Sequence, residues 1–463
     1  MSWLFLVASL IGAWFTYNAF FPSAVSTHRS GISFFAGWLT SELALHHIAW
    51  QAVATLLFIA SGALAAWPGW LGLLITIASW VGLWRCYWGA QEAETAMEAA
   101  LQRALGADYR DRIDAGVGAR LVPAIDWRQI LLPFPMRHPE VERIRNVTYC
   151  QHGKVGLRLD VYRRRGQETP TASEARRPAL LQIHGGGWVI GSKNEQGIPL
   201  MLEMASRGWV CFTADYRLSP RATFPDHLID LKHAIKWIRE HGSEYGADPS
   251  FIVVTGGSAG GHLAALLALT ANDPEYQPGF EGVDTSVQGC VPFYGVYDFT
   301  NRHGVYPNRG LARLLEKRVM KAALAEAGEK YDRASPLSRV RSDAPPFLII
   351  HGDKDTLVPV GDARHFYAAL KLISGNAVGY AEIPGAQHAF EIFPSLRTTF
   401  VIHGVQRFLA YLYSDYLQRR RSEGTAEMVA SIELEPARME HHNGNGRAPS
   451  SGPPLPPGPV IYH

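Results

Sequence analysis

Ser258 lies in the run FIVVTGGSAGG, residues 251–261, at the centre of a G-x-S-x-G pattern. Five β-prone residues precede the pattern, and helix formers (HLAALLALTA) follow it at once. A strand, a tight glycine turn and a helix throw a serine hydroxyl out at the top of a sheet, where a base can reach it. The glycines matter because a side chain at such a turn would clash with the neighbouring strand and helix. For that hydroxyl to attack an acyl carbonyl, it needs a base, an acid that orients the base, and donors for the oxyanion. His184-Gly185-Gly186-Gly187-Trp188, directly after the apolar run ALLQI, offers the donors. Consecutive glycines let backbone N–H groups face a substrate oxygen with no side chain in the way. The expected donors are the amides of Gly186, Gly187 and Ala259. YAEIPGAQHAF places His388 just after the last strand-like run, where the base should be. FLIIHGDKDTLVP offers Asp353 and Asp355 as the acid, and Asp355 is preferred because it lies further out, before the Leu-Val-Pro turn. His388 then takes the Ser258 proton, while Asp355 fixes the His388 tautomer and stabilises the imidazolium. Each piece has a plainer reading, as a glycine turn or a surface histidine. The order serine, aspartate, histidine, with the glycine run ahead of them, is what a serine site on a sheet requires.

Such a site needs strands to carry it. Strand-like runs at 179–184, 209–214, 251–255, 287–294, 346–350 and 378–383 are interleaved with helical runs at 195–207, 226–241, 259–271, 361–373 and 396–420. A strand pair around His152-Gly153 precedes them. This β/α alternation predicts a mostly parallel central sheet covered by helices, an α/β fold with the ligand at the carboxyl ends of the strands. The catalytic domain is expected over 141–421, with a lid-like insertion at 298–343. The insertion carries an amphipathic helix over about 309–327 and is rich in Arg302, Arg309, Arg313, Lys317, Arg318 and Lys321. Those charges form a solvated face or a lid beside anionic headgroups. The segment 91–140 reads as an amphipathic helix and linker, with Met97, Ala100, Leu101, Ala104 and Leu105 at helical spacing. Residues 422–463 are short of apolar clusters and are expected to be disordered.

Formal charges in the first 91 residues are confined to Arg29, Glu42 and Arg85. Leu43 to Trp84 is a stretch of 42 residues without Asp, Glu, Lys or Arg. As helix it would be roughly 63 Å long, enough to cross an apolar layer of about 30 Å twice. Transmembrane helices are therefore expected at about 2–21, 47–66 and 70–88, with Pro68-Gly69 at the turn and 1–90 as a multi-span membrane anchor. A signal peptide fits poorly, because a basic n-region is missing and no A-x-A-like site follows closely. The distribution of Arg and Lys places the N-terminus outside and the catalytic domain in the cytoplasm. His46 and His47 read as interfacial residues rather than metal ligands. A net charge of +2 gives no field that would favour nucleic acid. The four cysteines, widely spaced, suggest neither a disulfide framework nor a zinc site.

Together HGGGW (184–188), DYRLSP (215–220), GGSAGG (256–261), HGDKDTLVP (351–359) and QHAF (387–390) carry a family resemblance. From about 140 to 420 the chain resembles the α/β-hydrolase superfamily, in its hormone-sensitive-lipase-like esterase branch. The resemblance implies carboxylic-ester hydrolysis through an acyl-enzyme, without a cofactor or metal. It also implies structural support from the Tyr216-Arg217 region. Family members often carry an N-terminal cap ahead of the sheet. Here spanning sequence and a linker stand in its place, so the acyl pocket does not carry over. Three spans also depart from the single anchor of membrane-bound deacetylase-like relatives. The same triad would serve amides, as in a formamidase, deacetylase or peptidase. A non-catalytic binding protein on this scaffold would be expected to lose a triad member, and none is lost. The expected partner is a small-molecule or lipid ester at a membrane.

Overall fold

The computed structural model describes residues 1–121, 124–166 and 177–423, and the backbone of 424–439. The N-terminal part is helical: α1 (Ser2–Phe20), α2 (Thr27–Glu42), α3 (Ala44–Ala60), α4 (Trp67–Gly89), α5 (Glu92–Leu105), α6 (Ala115–Gly118) and α7 (Trp127–Leu131). Then come β1 (Val141–His152), β2 (Val155–Arg164), β3 (Arg177–Ile183), α8 (Ile198–Ser206), β4 (Val210–Ala214), α9 (Asp226–His241), β5 (Ala247–Gly257), α10 (Ala259–Leu269) and β6 (Gly289–Phe293). The chain continues through α11 (Gly310–Leu314), α12 (Gly328–Arg333), β7 (Phe347–Gly352), α13 (Val360–Ile373), β8 (Val378–Ile383) and α14 (Leu396–Met439).

The eight strands form one sheet in the order β1-β2-β4-β3-β5-β6-β7-β8. Only the pairings β1/β2 and β2/β4 are antiparallel; the rest are parallel. Strands covered on both faces must be apolar along their length, and β4, β6 and β7 are buried throughout. Ile252 and Val254 of β5 enter one core layer with Leu231 and Ile235 of α9 and Leu263 and Leu266 of α10. Elsewhere α14 sets Tyr413 with its ring 5.0 Å from that of Phe251. The first structural unit ends at Ser414, and a second begins at Asp415. Residues 422–439 of the tail expected to be disordered fall within the range of α14. The remainder of that expected tail, 440–463, lies outside the described residues.

The helices α1 and α4 turn much of their apolar surface outward and several hydroxyls inward, beside buried Phe5, Leu6 and Leu83. Trp3, Leu4, Val7, Leu10, Leu74 and Val81 are exposed, whereas Ser9, Thr16, Thr76 and Ser79 are buried. Thr16 Oγ1 and Ser79 Oγ lie 2.7 Å apart, and Thr76 Oγ1 donates to Ser9 Oγ at 3.0 Å. Among the described residues, two helices suit a membrane crossing by length and composition, or three if α2 and α3, bent by 93° at their junction, count as one span. The N-terminal region departs from expectation in two ways. The turn before α4 falls at Gly62, with φ +81°, while Pro68 sits in the first turn of α4. Proline costs little there, because the first turn's N–H groups lack helical partners anyway. Residues 27–42, between the first two expected spans, also form a helix, α2, capped by Ser26 Oγ accepting from the Arg29 N–H.

Helix α5 packs its apolar face against the sheet domain. Met97, Ala100, Leu101 and Leu105 are buried, and Arg103 donates to the Tyr380 carbonyl of β8 at 3.5 Å. The helix of the 298–343 insertion is shorter than the expected 309–327. It runs through α11 and a π-helical turn at Leu315–Val319, and Lys321, at φ +54°, is already outside helical backbone.

Candidate active site

The turn from β5 into α10 holds Ser258 at φ 58° and ψ −120°. A non-glycine residue persists in so sparsely populated a region only where its surroundings over-determine it. The Ser258 N–H donates to the Phe293 carbonyl of β6 at 3.0 Å. A Cβ on Gly260 would stand 2.1 Å from the Ile183 carbonyl oxygen, so α10 approaches β3 closely only because that residue is glycine. The turn therefore lies at the carboxyl ends of the central strands, and Ser258 is half-buried there.

The glycine loop after β3 faces the same turn. A Cβ on Gly185 would meet the Ser258 Cβ at 3.0 Å. Gly186 has φ +105°, and a side chain on it would strike the Ile190 carbonyl at 2.1 Å. Among the described residues, none accepts a hydrogen bond from the N–H of Gly186, Gly187 or Ala259. Ala259 opens α10, where first-turn amides have no helical acceptor. The Gly185 N–H is taken by Gln196 Oε1 at 2.5 Å, and Tyr216 donates to the His184 carbonyl at 3.0 Å with the two rings stacked. Arg217 grips Asp230 through Nε and Nη2 at 2.8–3.0 Å.

His388 Nδ1 lies 2.6 Å from Asp355 Oδ2. Asp355 Oδ1 accepts from the amides of Leu357 at 2.9 Å and Val358 at 2.8 Å, and His351 Nε2 stands 3.2 Å from Oδ2. Burial alone would raise the Asp355 pKa. The His388 charge and the hydrogen bonds from His351 and His388 outweigh burial and hold the carboxyl well below the usual carboxylate range. Asp353, the alternative acid, instead accepts from the Gly385 N–H at 2.7 Å. The His388 ring packs 4.5 Å from that of Tyr294. A Cβ on Gly257 would meet the Tyr294 hydroxyl at 2.6 Å, so Tyr294 bridges the histidine to the serine turn. A serine hydroxyl at a strand end, an imidazole paired to a carboxylate, and amides without an acceptor are the components that acyl transfer by a serine uses.

Sequence reasoning missed several parts of this site. Tyr294 donates to the buried Glu391, which burial pushes up to about 7 against that hydrogen bond. Gln387 Oε1 accepts from the amides of Thr356 at 2.8 Å and His388 at 2.9 Å, tying the acid and base loops together. Its signals were adjacency to His388 and a place in the QHAF motif, neither of which shows this role. Helix α2 also reaches the site. Phe34 meets His388 edge-on at 6.2 Å, Trp38 Nε1 donates to the Ala389 carbonyl at 2.8 Å, and Thr356 donates to the Ser30 carbonyl at 3.2 Å. From the insertion, Asn308 accepts from Thr27 at 2.9 Å and donates to the Ala24 carbonyl at 3.1 Å.

Behind the acid loop, Asp362 Oδ2 accepts from the Tyr297 N–H and the Tyr306 hydroxyl, both at 2.8 Å. Burial, with the Asp298 charge, raises this carboxyl to about 6 against those hydrogen bonds. Between the unfolded value of about 4 and the folded value, the native state holds more protons, so stability falls as pH rises through that window and is level above it. Asp362→Asn keeps an oxygen facing both donors. Its thermal midpoint, relative to wild type, should therefore climb between pH 4 and pH 6 and then stay level. A constant difference across that range would contradict the assignment.

The BD-FAE family profile matches residues 159–370. A probable carboxylic ester hydrolase of Mycobacterium tuberculosis, LipM, is 40% identical over 415 residues, covering 88% of this chain and 93% of the relative. Esterase LipQ of the same organism is 41% identical over 344 residues, covering 74% of this chain and 80% of the relative. Among solved structures, the thermophilic esterase Est2 of Thermogutta terrifontis is 31% identical, covering 56% of this chain and 86% of that chain, with a TM-score of 0.45. With a mostly parallel sheet and relatives matched over most of their length, the chain belongs to this family of α/β-hydrolase carboxylic ester hydrolases.

Proposed function

We propose that this chain is a membrane-anchored serine esterase of the hormone-sensitive-lipase-like branch, with Ser258, His388 and Asp355 as its catalytic triad. The observation that carries the reading is the His388–Asp355 bond at 2.6 Å, on a histidine packed against Tyr294 beside the serine turn. Ser258 Oγ attacks the ester carbonyl as His388 Nε2 takes its proton. The carbonyl oxygen becomes an oxyanion received by the amides of Gly186, Gly187 and Ala259. Collapse of the tetrahedral intermediate breaks the acyl–oxygen bond, and His388 returns the proton to the departing alcohol. Water then attacks the acyl-enzyme with His388 as base, releasing the carboxylic acid and restoring Ser258. Each oxyanion donor is worth on the order of 10²–10³ in rate.

Anchoring rests on the inverted surface of α1 and α4, apolar outward with paired hydroxyls inward, as helices in lipid pack. In this reading α1, α3 and α4 cross the bilayer, α2 lies along its surface, and the catalytic domain is cytoplasmic. A site beside the bilayer suits a lipophilic ester. The test is to express the chain, recover it from the membrane fraction, and treat it with a fluorophosphonate probe. Peptide mass analysis should place the adduct on Ser258, with loss of p-nitrophenyl butyrate hydrolysis in parallel. Modification elsewhere with hydrolysis intact would sink the triad assignment.

A further inference from the structure

We infer that α2 is a working part of the esterase site, and that Trp38 is a positioning residue for the turn that carries His388. The inference rests on the triad reading above. Ala389, directly after the base, has φ 60° and ψ 29°. This is left-handed backbone that an alanine adopts only when something outside the residue holds it. The Ala389 carbonyl accepts the Trp38 indole N–H at 2.8 Å. Phe34, one turn earlier on α2, stacks on Trp38 at 5.1 Å and sets its edge against His388. The Trp38 ring also lies 5.9 Å from that of Phe393, beyond the turn. Helix α2 thus meets the base through Phe34, the strained residue after it through Trp38, and the acid loop through Ser30.

Helix α2 is itself fixed at both ends, so it can act as a reference for the turn. Thr27 bonds Asn308 at 2.9 Å, and Glu42 is buried in an ion pair with Arg397. Without the indole donor, the Ala389 carbonyl keeps only the long 3.4 Å bond from the Ile392 N–H, and the residue is freer to leave the left-handed region. The His388 imidazole, one residue away, then shifts relative to Ser258. Misplacing a reacting group by about 1 Å can cost on the order of 10² in rate.

Trp38→Phe keeps an aromatic ring and removes the N–H. Rates are read per active site, counted by burst titration with a fluorophosphonate ester, so that unfolded protein does not contribute. The expected result is a fall in kcat of roughly 10- to 100-fold on p-nitrophenyl butyrate, with KM nearly unchanged. Glycine adopts positive φ without steric cost. Ala389→Gly in the Trp38→Phe background should therefore restore most of the lost kcat, which a merely stabilising role for Trp38 would not predict. Wild-type kcat in Trp38→Phe overturns the proposal, and so does a loss that glycine at 389 fails to rescue. Ser258→Ala, run beside them, separates the two levels. Hydrolysis retained there removes the triad reading itself, whereas hydrolysis lost there with Trp38→Phe fully active removes the positioning role alone.

Discussion

Ser258→Ala should lower kcat/KM for p-nitrophenyl butyrate by on the order of 10⁴–10⁶, with the fold intact. Alanine is no larger than serine, so the turn at φ 58° closes as before, and the strand and helix around it are undisturbed. The hydroxyl is lost, and with it the covalent route. The unpaired amides of Gly186, Gly187 and Ala259 remain, so residual hydrolysis above the uncatalysed rate is expected. His388→Asn should cost a similar factor, because the serine then keeps its proton at neutral pH. The two losses should not add in the double variant, since both residues serve one proton transfer. The measurement is kcat/KM for the three variants at one pH, with thermal midpoints to show that each is folded. Additive losses would mean that Ser258 and His388 do not act as a unit.

The second large effect is on stability. Glu42 at the end of α2 and Arg397 at the start of α14 form an ion pair whose side chains are 1% and 2% exposed. Ser395 donates to the second carboxylate oxygen at 2.8 Å. Removing one partner of a buried pair leaves a lone charge in an apolar surrounding and typically costs about 3–5 kcal/mol. Arg397→Met strands the Glu42 carboxylate, and Glu42→Gln strands the Arg397 guanidinium. Each should lower the thermal midpoint in detergent strongly. The double variant Glu42→Gln/Arg397→Met buries no charge and should lose less than the sum of the two. Simple additivity would show that the pair is not coupled, and single variants at the wild-type midpoint would show that it is not desolvated.

How much of this was legible in the sequence depended on whether the constraint was local. Ser258, the glycine loop, His388 and Asp355 stood out because each sits at a strand end within a few residues of its own turn signal. The choice of Asp355 over Asp353 followed from position in a loop, and the structure pairs Asp355 with His388. Tyr294 and Gln387 were not legible, because their roles exist only across distant segments. Helix α2 was missed for a different reason. It buries Ser30, Ser33, Gly37, Ser41 and Glu42 and exposes Ile32 and Phe35. With Phe34 and Ala36 also buried, polar and apolar residues share the inward face, which blurs the pattern by which a helix facing a protein core is recognised. The shortened helix of the insertion was over-read, because amphipathic spacing continues past Lys321 while the backbone does not.

The Glu42–Arg397 pair joins positions 355 residues apart. Its consequence concerns inheritance. The first 90 residues and the hydrolase domain are complementary halves, matched at Glu42 with Arg397, at Trp38 with Ala389 and at Thr27 with Asn308. An unrelated set of apolar helices, spliced on at the α4–α5 boundary, would supply hydrophobic length yet leave Arg397 stranded and the Ala389 carbonyl without its indole donor. Recombination within this lineage should therefore have exchanged the two parts together, and substitutions at 42 and 397 should be found in step.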